Sequence, residues 1–316
     1  MKEVLALTAL EKLIIDAKES GMKDEEIGNK YNVNLKYIEK AITKKYGINI
    51  SETRKQKKIK TLFPKNFIQE TNSVWSFKSR GNWATHNGNY RGNWSPYIPR
   101  NIITHYSNEG DTVLDCFCGA GTTGVEAKLL GRNFIGIDIN PQAIELANKN
   151  IDFGDEAFLF EDKSPKITFQ KGDARNLSSI QEESIDLICT HPPYADIINY
   201  TYENKSDLSN LSYENFLSEM QKVANECYRV LKPDHYCAIL IGDMRKNKNV
   251  IPLGLKTVKQ FFNSGFILKE MIIKRQHNCK TTGFWYTNSI KYNFLLLAHE
   301  YLLIFKKSKK CSRDFN

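Results

Sequence analysis

The stretch ICTHPPYADI ends an apolar run with a histidine, two prolines and a tyrosine. Pro192 and Pro193 lack backbone donors and fix two φ angles, so the chain is stiff where the run ends. His191 precedes a proline and is therefore biased toward an extended backbone. These residues predict a strand end that holds carbonyl oxygens and the ring of Tyr194 in fixed positions. Such a strand end suits a site that grips a flat ligand.

A glycine-rich loop and two acids form a second set of candidate residues. Gly119, Gly121 and Gly124 have the spacing G-x-G-x-x-G, a weak signal by itself because dehydrogenases and methyltransferases both use it. Asp138 and Asp173 end the next two predicted strands, where carboxylates can accept hydrogen bonds from ribose hydroxyls and an adenine amino group. Each acid alone is equally well explained as a loop or cap residue. Glycines and acids on successive strand ends together predict a nucleotide site.

The elements that must position these residues are mainly alternating strands and helices. TVLDCF, NFIGIDI, ITFQKGDA, SIDLICT and HYCAILIGD predict strands. The alternation predicts an α/β fold with a doubly wound, Rossmann-like parallel sheet in residues 75–316. FILKEMIIKR and NFLLLAHEYLLIFKK follow one another without a helix and predict an antiparallel hairpin at one edge. The segment VWSFKSRGNWATHNGNYRGNWSPYIP, which precedes the first strand, is loop-like, and we expect its indoles to cover something.

Residues 1–50 predict a small, all-α unit. Thr8 and Glu11 have the spacing of a capping box. Three helices follow, and the last two have the spacing of a helix-turn-helix. A three-helix bundle that contacts protein is the alternative. The outward face of the second helix-turn-helix element presents four candidates for DNA contact: Lys36, Tyr37, Lys40 and Lys44.

The charge of the chain favours polyanionic partners. The 316 residues carry a formal net charge of +9, and the isoelectric point is about 9.0. A basic composition that serves only solubility is the alternative. Residues 51–74 include RKQKKIK and predict a basic linker between the helical unit and the sheet.

The apolar runs and the cysteines indicate the cellular compartment in which the protein is expected. No run reaches the roughly 18 apolar residues that a membrane helix needs, and no signal-peptide cleavage pattern follows the first residues. The seven cysteines are scattered, which is typical of a reducing cytoplasm. Cys116 and Cys118 have no second pair at zinc spacing and predict small core residues, so we expect no metal site.

Taken together, DCFCGAGTTG, GIDI, GDA and THPPY resemble the motifs of S-adenosylmethionine-dependent DNA methyltransferases that act on N4 of cytosine or N6 of adenine. The resemblance covers about residues 75–307. It implies S-adenosylmethionine as cofactor and double-stranded DNA as partner, and a cognate restriction endonuclease is a candidate partner. It places YRGNWSPYIP beside the methionine moiety. It implies cofactor contacts for nine residues: Asp115, Phe117, Gly119, Gly121, Thr122, Asp138, Ile139, Asp173 and Ala174.

In that family the motif [D/N/S]-P-P-[Y/F] carries catalysis, which implies catalytic roles for Thr190, His191, Pro192, Pro193 and Tyr194. Hydrogen bonds from the target amino group to fixed acceptors, among them the Pro192 carbonyl, make its nitrogen more nucleophilic. The resemblance implies that Tyr194 stacks on a base flipped from the duplex. Because the ring carries that role, we expect Tyr194→Phe to have a mild effect. His191 departs from the motif, and its neutral imidazole can accept one hydrogen bond in one tautomer. Thr190 is the alternative acceptor.

Residues 274–293 are the predicted target-recognition segment, because they mix basic residues for phosphates with polar residues for base edges. Arg275, Trp285 and Tyr286 are its candidates for DNA contact, and a long edge hairpin with aromatic packing is the alternative. The context DLICTHPPY resembles cytosine-N4 enzymes, although the motif order differs from the permuted order common among them. Adenine-N6 methylation, an RNA amino-methyltransferase, a non-enzymatic regulator and a NAD-dependent dehydrogenase are the competing hypotheses.

Overall fold

The computed structural model describes residues 7–20, 22, 24–46, 59–90, 92–153, 164–194, 208–246, 249–277 and 282–309. The helices in these ranges are α1 Ala9–Glu19, α2 Asp24–Tyr31, α3 Leu35–Tyr46, α4 Tyr97–Tyr106, α5 Thr122–Leu129, α6 Pro141–Ile151, α7 Tyr213–Val230, α8 Leu253–Asn263 and α9 Thr282–Lys291. The strands are β1 Val74–Ser76, β2 Thr112–Asp115, β3 Asn133–Asp138, β4 Ile167–Lys171, β5 Ile185–Thr190, β6 Leu231–Ile241, β7 Met244–Lys246, β8 Asn249–Ile251, β9 Ile267–Arg275 and β10 His299–Lys306.

Eight strands form one sheet in the order β1-β9-β10-β6-β5-β2-β3-β4. Only β10 runs antiparallel to its neighbours, β6 and β9, among the paired strands of this sheet in the described residues. The predicted α/β fold and the antiparallel pairing of the last two strands are therefore confirmed. The prediction that no helix separates these two strands was wrong, because α9 lies between them. The three-residue strand β1 lies outside β9 and was not predicted, because a strand that short carries too little pattern to recognise.

The order of the strands creates a crevice at one edge of the sheet. From β2 the chain proceeds outward to β3 and β4, and it then returns to the other side of β2 with β5. Connections that leave neighbouring strands in opposite directions leave a gap at the carboxyl ends of those strands, where open α/β sheets bind ligands. The predicted glycine loop follows β2, and the histidine–proline segment follows β5.

Helices cover both faces of the sheet. One apolar cluster joins α7 and α8 to the strands through residues such as Phe216 and Phe261. A second joins α4 to the opposite face through Ile98 and Ile102. Because both faces are covered, every residue of β5 is buried, which explains why its sequence reads as a continuous apolar run rather than an alternating one.

The tryptophan-rich segment is fixed by one carboxylate inside α5. Glu126 is fully buried and accepts hydrogen bonds from Trp83 Nε1 at 2.7 Å, and its Oε1 lies 2.6 Å from His86 Nε2. Its other oxygen pairs with Arg100 of α4 at 2.7 Å. Three side chains from residues 83–100 thus converge on one acid that lies at least 26 positions farther along the chain. The expectation that the indoles cover something is confirmed, because Trp83, Trp75 and Trp94 are all buried.

The predicted basic linker lies partly on the sheet domain. Residues 51–58, which include most of RKQKKIK, lie outside the described residues. Farther along the chain, the Phe63 and Phe67 rings lie 5.7 and 5.1 Å from the Arg100 guanidinium. The later part of residues 51–74 is therefore packed against α4 rather than extended as a free connection.

The three N-terminal helices have the predicted spacing, and the Thr8–Glu11 capping box is present. Lys40 is exposed, but Lys44 pairs with Glu11 at 2.8 Å and Tyr37 packs against the apolar core of the helices. The interpretation of Lys44 and Tyr37 as outward-facing was therefore wrong, because the amphipathic face of α3 extends farther than assumed. The buried residues of these helices share one apolar cluster with the later residues Tyr90, Ala120, Ala143 and Leu146. A separate domain over 1–50 stays a prediction.

Residues 282–291 form helix α9 inside the predicted recognition segment, where the sequence indicated an irregular stretch or a hairpin. Tyr286 on this helix is 60% exposed. The side chains of Lys36 and Trp285, both predicted DNA contacts, lie outside the described residues. Across the described ranges, no helix is both long enough and apolar enough to cross a membrane.

Candidate active site

A cavity of about 820 Å³, including its open mouth, lies at the carboxyl ends of β2, β3 and β5. Seven of the predicted cofactor residues line it: Asp115, Phe117, Gly119, Asp138, Ile139, Asp173 and Ala174. Gly121 and Thr122 do not. Gly121 has φ +78° where α5 begins, and a Cβ there would lie 3.0 Å from the Ala147 Cβ. Thr122 donates its hydroxyl to Asn93 Oδ1. These two residues shape the loop from behind.

Asp138 fixes the glycine loop through hydrogen bonds from two backbone N–H groups. Its Oδ2 accepts a hydrogen bond from the Gly119 backbone at 2.8 Å, and its Oδ1 accepts one from the Asn140 backbone at 2.9 Å. The carboxylate lines the first cavity at the end of β3. Its contact with the ribose hydroxyls stays a prediction. At Gly119, with φ +49°, a Cβ would lie 3.1 Å from the Tyr90 ring. The loop therefore approaches the cavity with bare backbone, which fits a nucleoside cofactor.

Asp173 lines the same cavity but shares its carboxylate with Arg175. The Arg175 Nε lies 2.9 Å from Asp173 Oδ1 and its Nη2 lies 2.5 Å from Oδ2, while Nη1 pairs with Glu219 at 2.6 Å. Burial raises the pKa of the Asp173 carboxyl, but the hydrogen bonds from Arg175 outweigh burial and the pKa lies below its ordinary value. The acid is ionised and held in place by the arginine. Its contact with adenine stays a prediction.

Asp115 ties the glycine loop to the end of β5. It accepts hydrogen bonds from Thr123 Oγ1 at 2.5 Å, Thr190 Oγ1 at 2.6 Å and the Phe117 backbone at 3.1 Å. Burial raises the pKa of the Asp115 carboxyl to about 6, although these hydrogen bonds oppose the shift. Thr190 is fully buried and lines neither cavity of the site. Its position does not suit the alternative role of acceptor for a substrate amino group.

A second cavity adjoins the first, with a volume of about 1350 Å³ including its open mouth. His191 and Pro192 line both cavities, whereas Pro193 lines the first and Tyr194 the second. The histidine–proline segment, residues 191–194, therefore separates the two cavities. The first cavity is lined by the candidate cofactor residues, and the second is lined by the predicted DNA contact Arg275.

His191 is held on two sides. Its ring stacks on Trp94 with centroids 5.5 Å apart and an interplanar angle of 20°. Its Nε2 lies 3.2 Å from the Tyr194 hydroxyl oxygen. Burial lowers the pKa of His191 to about 4, with Lys274 also lowering it and Glu300 and a backbone hydrogen bond with Gly92 raising it. The imidazole is therefore neutral at neutral pH, as the predicted acceptor role requires.

The Tyr194 hydroxyl has partners that the sequence did not indicate. It donates to Glu300 Oε1 at 2.8 Å, and Glu300 Oε2 accepts from Lys274 Nζ at 2.7 Å. Glu300 and Lys274 lie on neighbouring strands, β10 and β9, and both line the second cavity. One signal was available in the sequence, because Glu300 is the only acid in the strand HEYLLIFK and directly precedes its apolar run YLLIF.

Arg80 and Trp94 are further residues that the prediction did not single out. The Arg80 guanidinium donates to the backbone oxygens of Asn87, Asn93 and Trp94 at 3.2, 2.7 and 2.7 Å. These bonds fix the loop that carries Asn93 and Trp94 into both cavities. Of the predicted DNA contacts with described side chains, only Arg275 lines a cavity. Lys40 on α3 and Tyr286 on α9 line neither.

Comparison with known protein families shows the family to which the chain belongs. A profile of the N6/N4 methyltransferase type, described as DNA methylase, matches residues 10–149 and 185–315. The chain belongs to this DNA methylase family. A second profile, described as RMKL-like methyltransferase domain, matches residues 104–238. Family membership confirms the predicted class of amino-methyltransferase and the predicted cofactor, S-adenosylmethionine.

Curated relatives are similar over parts of the chain. Type II methyltransferase M.BglI of Bacillus subtilis is 36% identical over 118 residues, which cover 34% of each chain. Type II methyltransferase M.MjaI of Methanocaldococcus jannaschii is 30% identical over 171 residues, 46% of this chain and 56% of the relative. DNA adenine methyltransferase YhdJ of Escherichia coli is 30% identical over 125 residues, 40% of this chain and 42% of the relative. The chain thus spans about a third to just over half of these relatives' lengths.

Proposed function

We propose that the chain transfers a methyl group from S-adenosylmethionine to the exocyclic amino group of a base in duplex DNA, with N4 of cytosine as the favoured target. The observation that carries this proposal is the histidine–proline segment between the two cavities. A methyl donor on one side and a flipped base on the other would meet at the carbonyl of Pro192. Holding two reactants at such a contact supplies much of the barrier reduction in transfer reactions.

The residues of the first cavity fit the cofactor. S-adenosylmethionine supplies an electrophilic methyl group when it is bound. Asp138 lines this cavity at the end of β3, where a carboxylate can accept hydrogen bonds from ribose hydroxyls, and the backbone of Gly119 leaves room for close approach. Asp173 is fixed by Arg175 and lines the same cavity, which supports its role as the acceptor for an adenine amino group. Asp115 holds the loop and the end of β5 at a constant separation through Thr190.

The second cavity carries the acceptors for the target amino group. The carbonyl of Pro192 and one nitrogen of neutral His191 accept the two amino hydrogens, which favours a tetrahedral nitrogen with an available lone pair. The N–H of the imidazole is directed to the Gly92 backbone, so the ring nitrogen that faces the Tyr194 hydroxyl keeps its lone pair. The Tyr194 ring forms a face on which the flipped base stacks.

The target base and the nucleic acid are the finer parts of the proposal. The context DLICTHPPY supports cytosine-N4. Adenine-N6 is the second candidate, because one similar protein is named a DNA adenine methyltransferase. Duplex DNA is supported by the net charge of +9 and by the spacing of α2 and α3, since a helix-turn-helix reads a major groove that A-form RNA closes off. A partner endonuclease stays a prediction.

The test is incubation of the full chain with methyl-labelled cofactor and either duplex DNA of mixed sequence or structured RNA, followed by identification of the labelled nucleoside. We expect N4-methylcytosine from DNA. N6-methyladenine from DNA would move the target to the second candidate, and label in RNA alone would overturn the assignment of the substrate. Asp138→Ala, which removes the ribose acceptor, is the negative control.

A further inference from the structure

A buried ion pair forms part of the second cavity. Glu300 of β10 and Lys274 of β9 lie opposite each other in the strand register, with side chains that are 9% and 17% exposed. Taking two charges out of water costs several kcal/mol per ion, and an apolar pair of similar volume stabilises a fold as well or better. The position of this pair, at the mouth of the second cavity, points to a role in the site rather than in folding.

The ion pair is connected to the proposed catalytic residues by a series of polar contacts. Glu300 Oε1 accepts the Tyr194 hydroxyl at 2.8 Å, and the Tyr194 oxygen lies 3.2 Å from His191 Nε2. Trp94 stacks on the opposite side of the imidazole. Four side chains from three separate segments therefore form one line, from Lys274 through Glu300 and Tyr194 to His191.

We propose that Glu300, paired with Lys274, is a positioning residue that orients the Tyr194 hydroxyl and, through it, the His191 imidazole, and stabilises the charge that His191 acquires when it takes the proton released on methyl transfer. This inference rests on the proposed function. The amino nitrogen of the base forms a bond to the methyl carbon as the carbon–sulfur bond breaks and its electron pair stays on sulfur. The nitrogen then loses one proton to His191 Nε2, and the imidazolium donates toward the Tyr194 oxygen.

The charges around the imidazole support this assignment. Burial raises the pKa of the Glu300 carboxyl, but Lys274, the His191 imidazole and the hydrogen bonds from Lys274 and Tyr194 outweigh burial, so the carboxyl is ionised at neutral pH. Glu300 favours the protonated form of His191, and Lys274 opposes it. The other groups against the ring are the Gly92 backbone, the Tyr194 hydroxyl and the uncharged Trp94. Glu300 is thus the carboxylate that faces His191, one hydroxyl away.

The test uses the full chain with Glu300→Gln, which keeps the shape and an acceptor oxygen but removes the charge. We expect kcat to fall about 10- to 100-fold, with the Kd for S-adenosylmethionine unchanged; this loss is smaller than the roughly 10²–10⁴-fold that a group transferring the proton itself contributes, because Glu300 acts through another residue. Tyr194→Phe keeps the ring, and a role of the ring alone would make it mild, as the sequence predicted. Because it removes the hydroxyl between Glu300 and His191, we now expect it to lower kcat to a similar degree. In the Tyr194→Phe background, Glu300→Gln should add little, because the carboxylate acts through the hydroxyl.

An ion pair just beyond the end of β10, with a more exposed carboxylate, provides the control. Lys307, just after β10, pairs with Glu183 at 3.0 Å at the opposite end of the sheet. Glu183→Gln makes the same chemical change away from the cavities, and we expect unchanged kcat. Equal losses of kcat in Glu183→Gln and Glu300→Gln would show a general effect of losing an ion pair and would overturn the proposal.

Titration of His191 by nuclear magnetic resonance gives a readout that does not depend on activity. Removal of the Glu300 charge should move the His191 titration to lower pH, a shift that a purely structural role would not produce. A wild-type chain that transfers no methyl group would refute the proposed function, whereas an unchanged His191 titration would refute the role of Glu300. If Glu300→Gln fails to fold, the same titration in Tyr194→Phe decides the question.

Discussion

Replacing Asp115 by asparagine removes a negative charge that is buried away from solvent in the folded chain. The carboxyl is buried, and its partners are the hydroxyls of Thr123 and Thr190 and the backbone of Phe117. Burial raises the pKa of Asp115 from an ordinary 3.8 to about 6. Asparagine has the same shape. Its oxygen at the Oδ1 position can keep the hydrogen bonds from Thr190 and the Phe117 backbone, and its amide nitrogen can donate to the Thr123 hydroxyl. The substitution therefore isolates the cost of the charge.

The sign and size of the effect follow from this shift. A carboxyl with a higher pKa in the folded chain binds a proton more tightly there than in the unfolded chain. The free energy of unfolding therefore decreases as the pH rises between about 4 and about 6. Each pKa unit corresponds to about 1.4 kcal/mol, so ionised Asp115 costs about 3 kcal/mol above that window. Asp115→Asn lacks this cost. The free energy of unfolding of wild type relative to the variant should fall by about 3 kcal/mol from pH 4 to pH 7.

Urea unfolding of both proteins at several pH values measures the effect. Subtracting one curve from the other removes the titration of every group that the two proteins share. Thr190→Val deletes one hydrogen bond that favours the ionised carboxyl, so in that variant the loss of stability should extend to higher pH. A wild-type minus Asp115→Asn difference that stays constant from pH 4 to pH 8 would refute the reasoning.

Three further predictions concern separate parts of the molecule. Asp138→Ala should weaken S-adenosylmethionine binding by about 1.5–3 kcal/mol, the range for charge-assisted hydrogen bonds, and unchanged affinity by calorimetry would remove the ribose role. Glu126→Ala leaves the Arg100 charge and two donors without their acceptor and should destabilise the fold by about 3–5 kcal/mol. The control, Glu145→Ala in an exposed pair, should cost under ~1 kcal/mol, and equal melting temperatures would contradict this. Lys40→Ala should make the dependence of the DNA-binding constant on salt concentration shallower by about one phosphate contact. An identical salt dependence in wild type and variant would refute a DNA contact by Lys40.

The sequence determined the parts of this protein that depend on local pattern. Helices and strands alternate with their own periodicities, so the doubly wound sheet was predictable from residues near one another in the chain. The glycine loop and the THPPY segment were also readable, because glycine and proline act on their own backbone. Both fall at strand ends in the structure, where a sheet of this topology gathers ligands.

Only the tertiary structure decided which polar side chains meet. Asp115 and Thr190 are separated by 75 positions, and Tyr194 and Glu300 by 106, yet each pair is joined by a hydrogen bond. Sequence reasoning gave Thr190 to the substrate and left the Tyr194 hydroxyl without a role, because a side chain's partner depends on how distant strands are ordered and registered. A short edge strand such as β1 also requires β9 to pair with. A buried polar atom must find a partner somewhere, but where it lies is a property of the folded sheet rather than of the neighbouring residues.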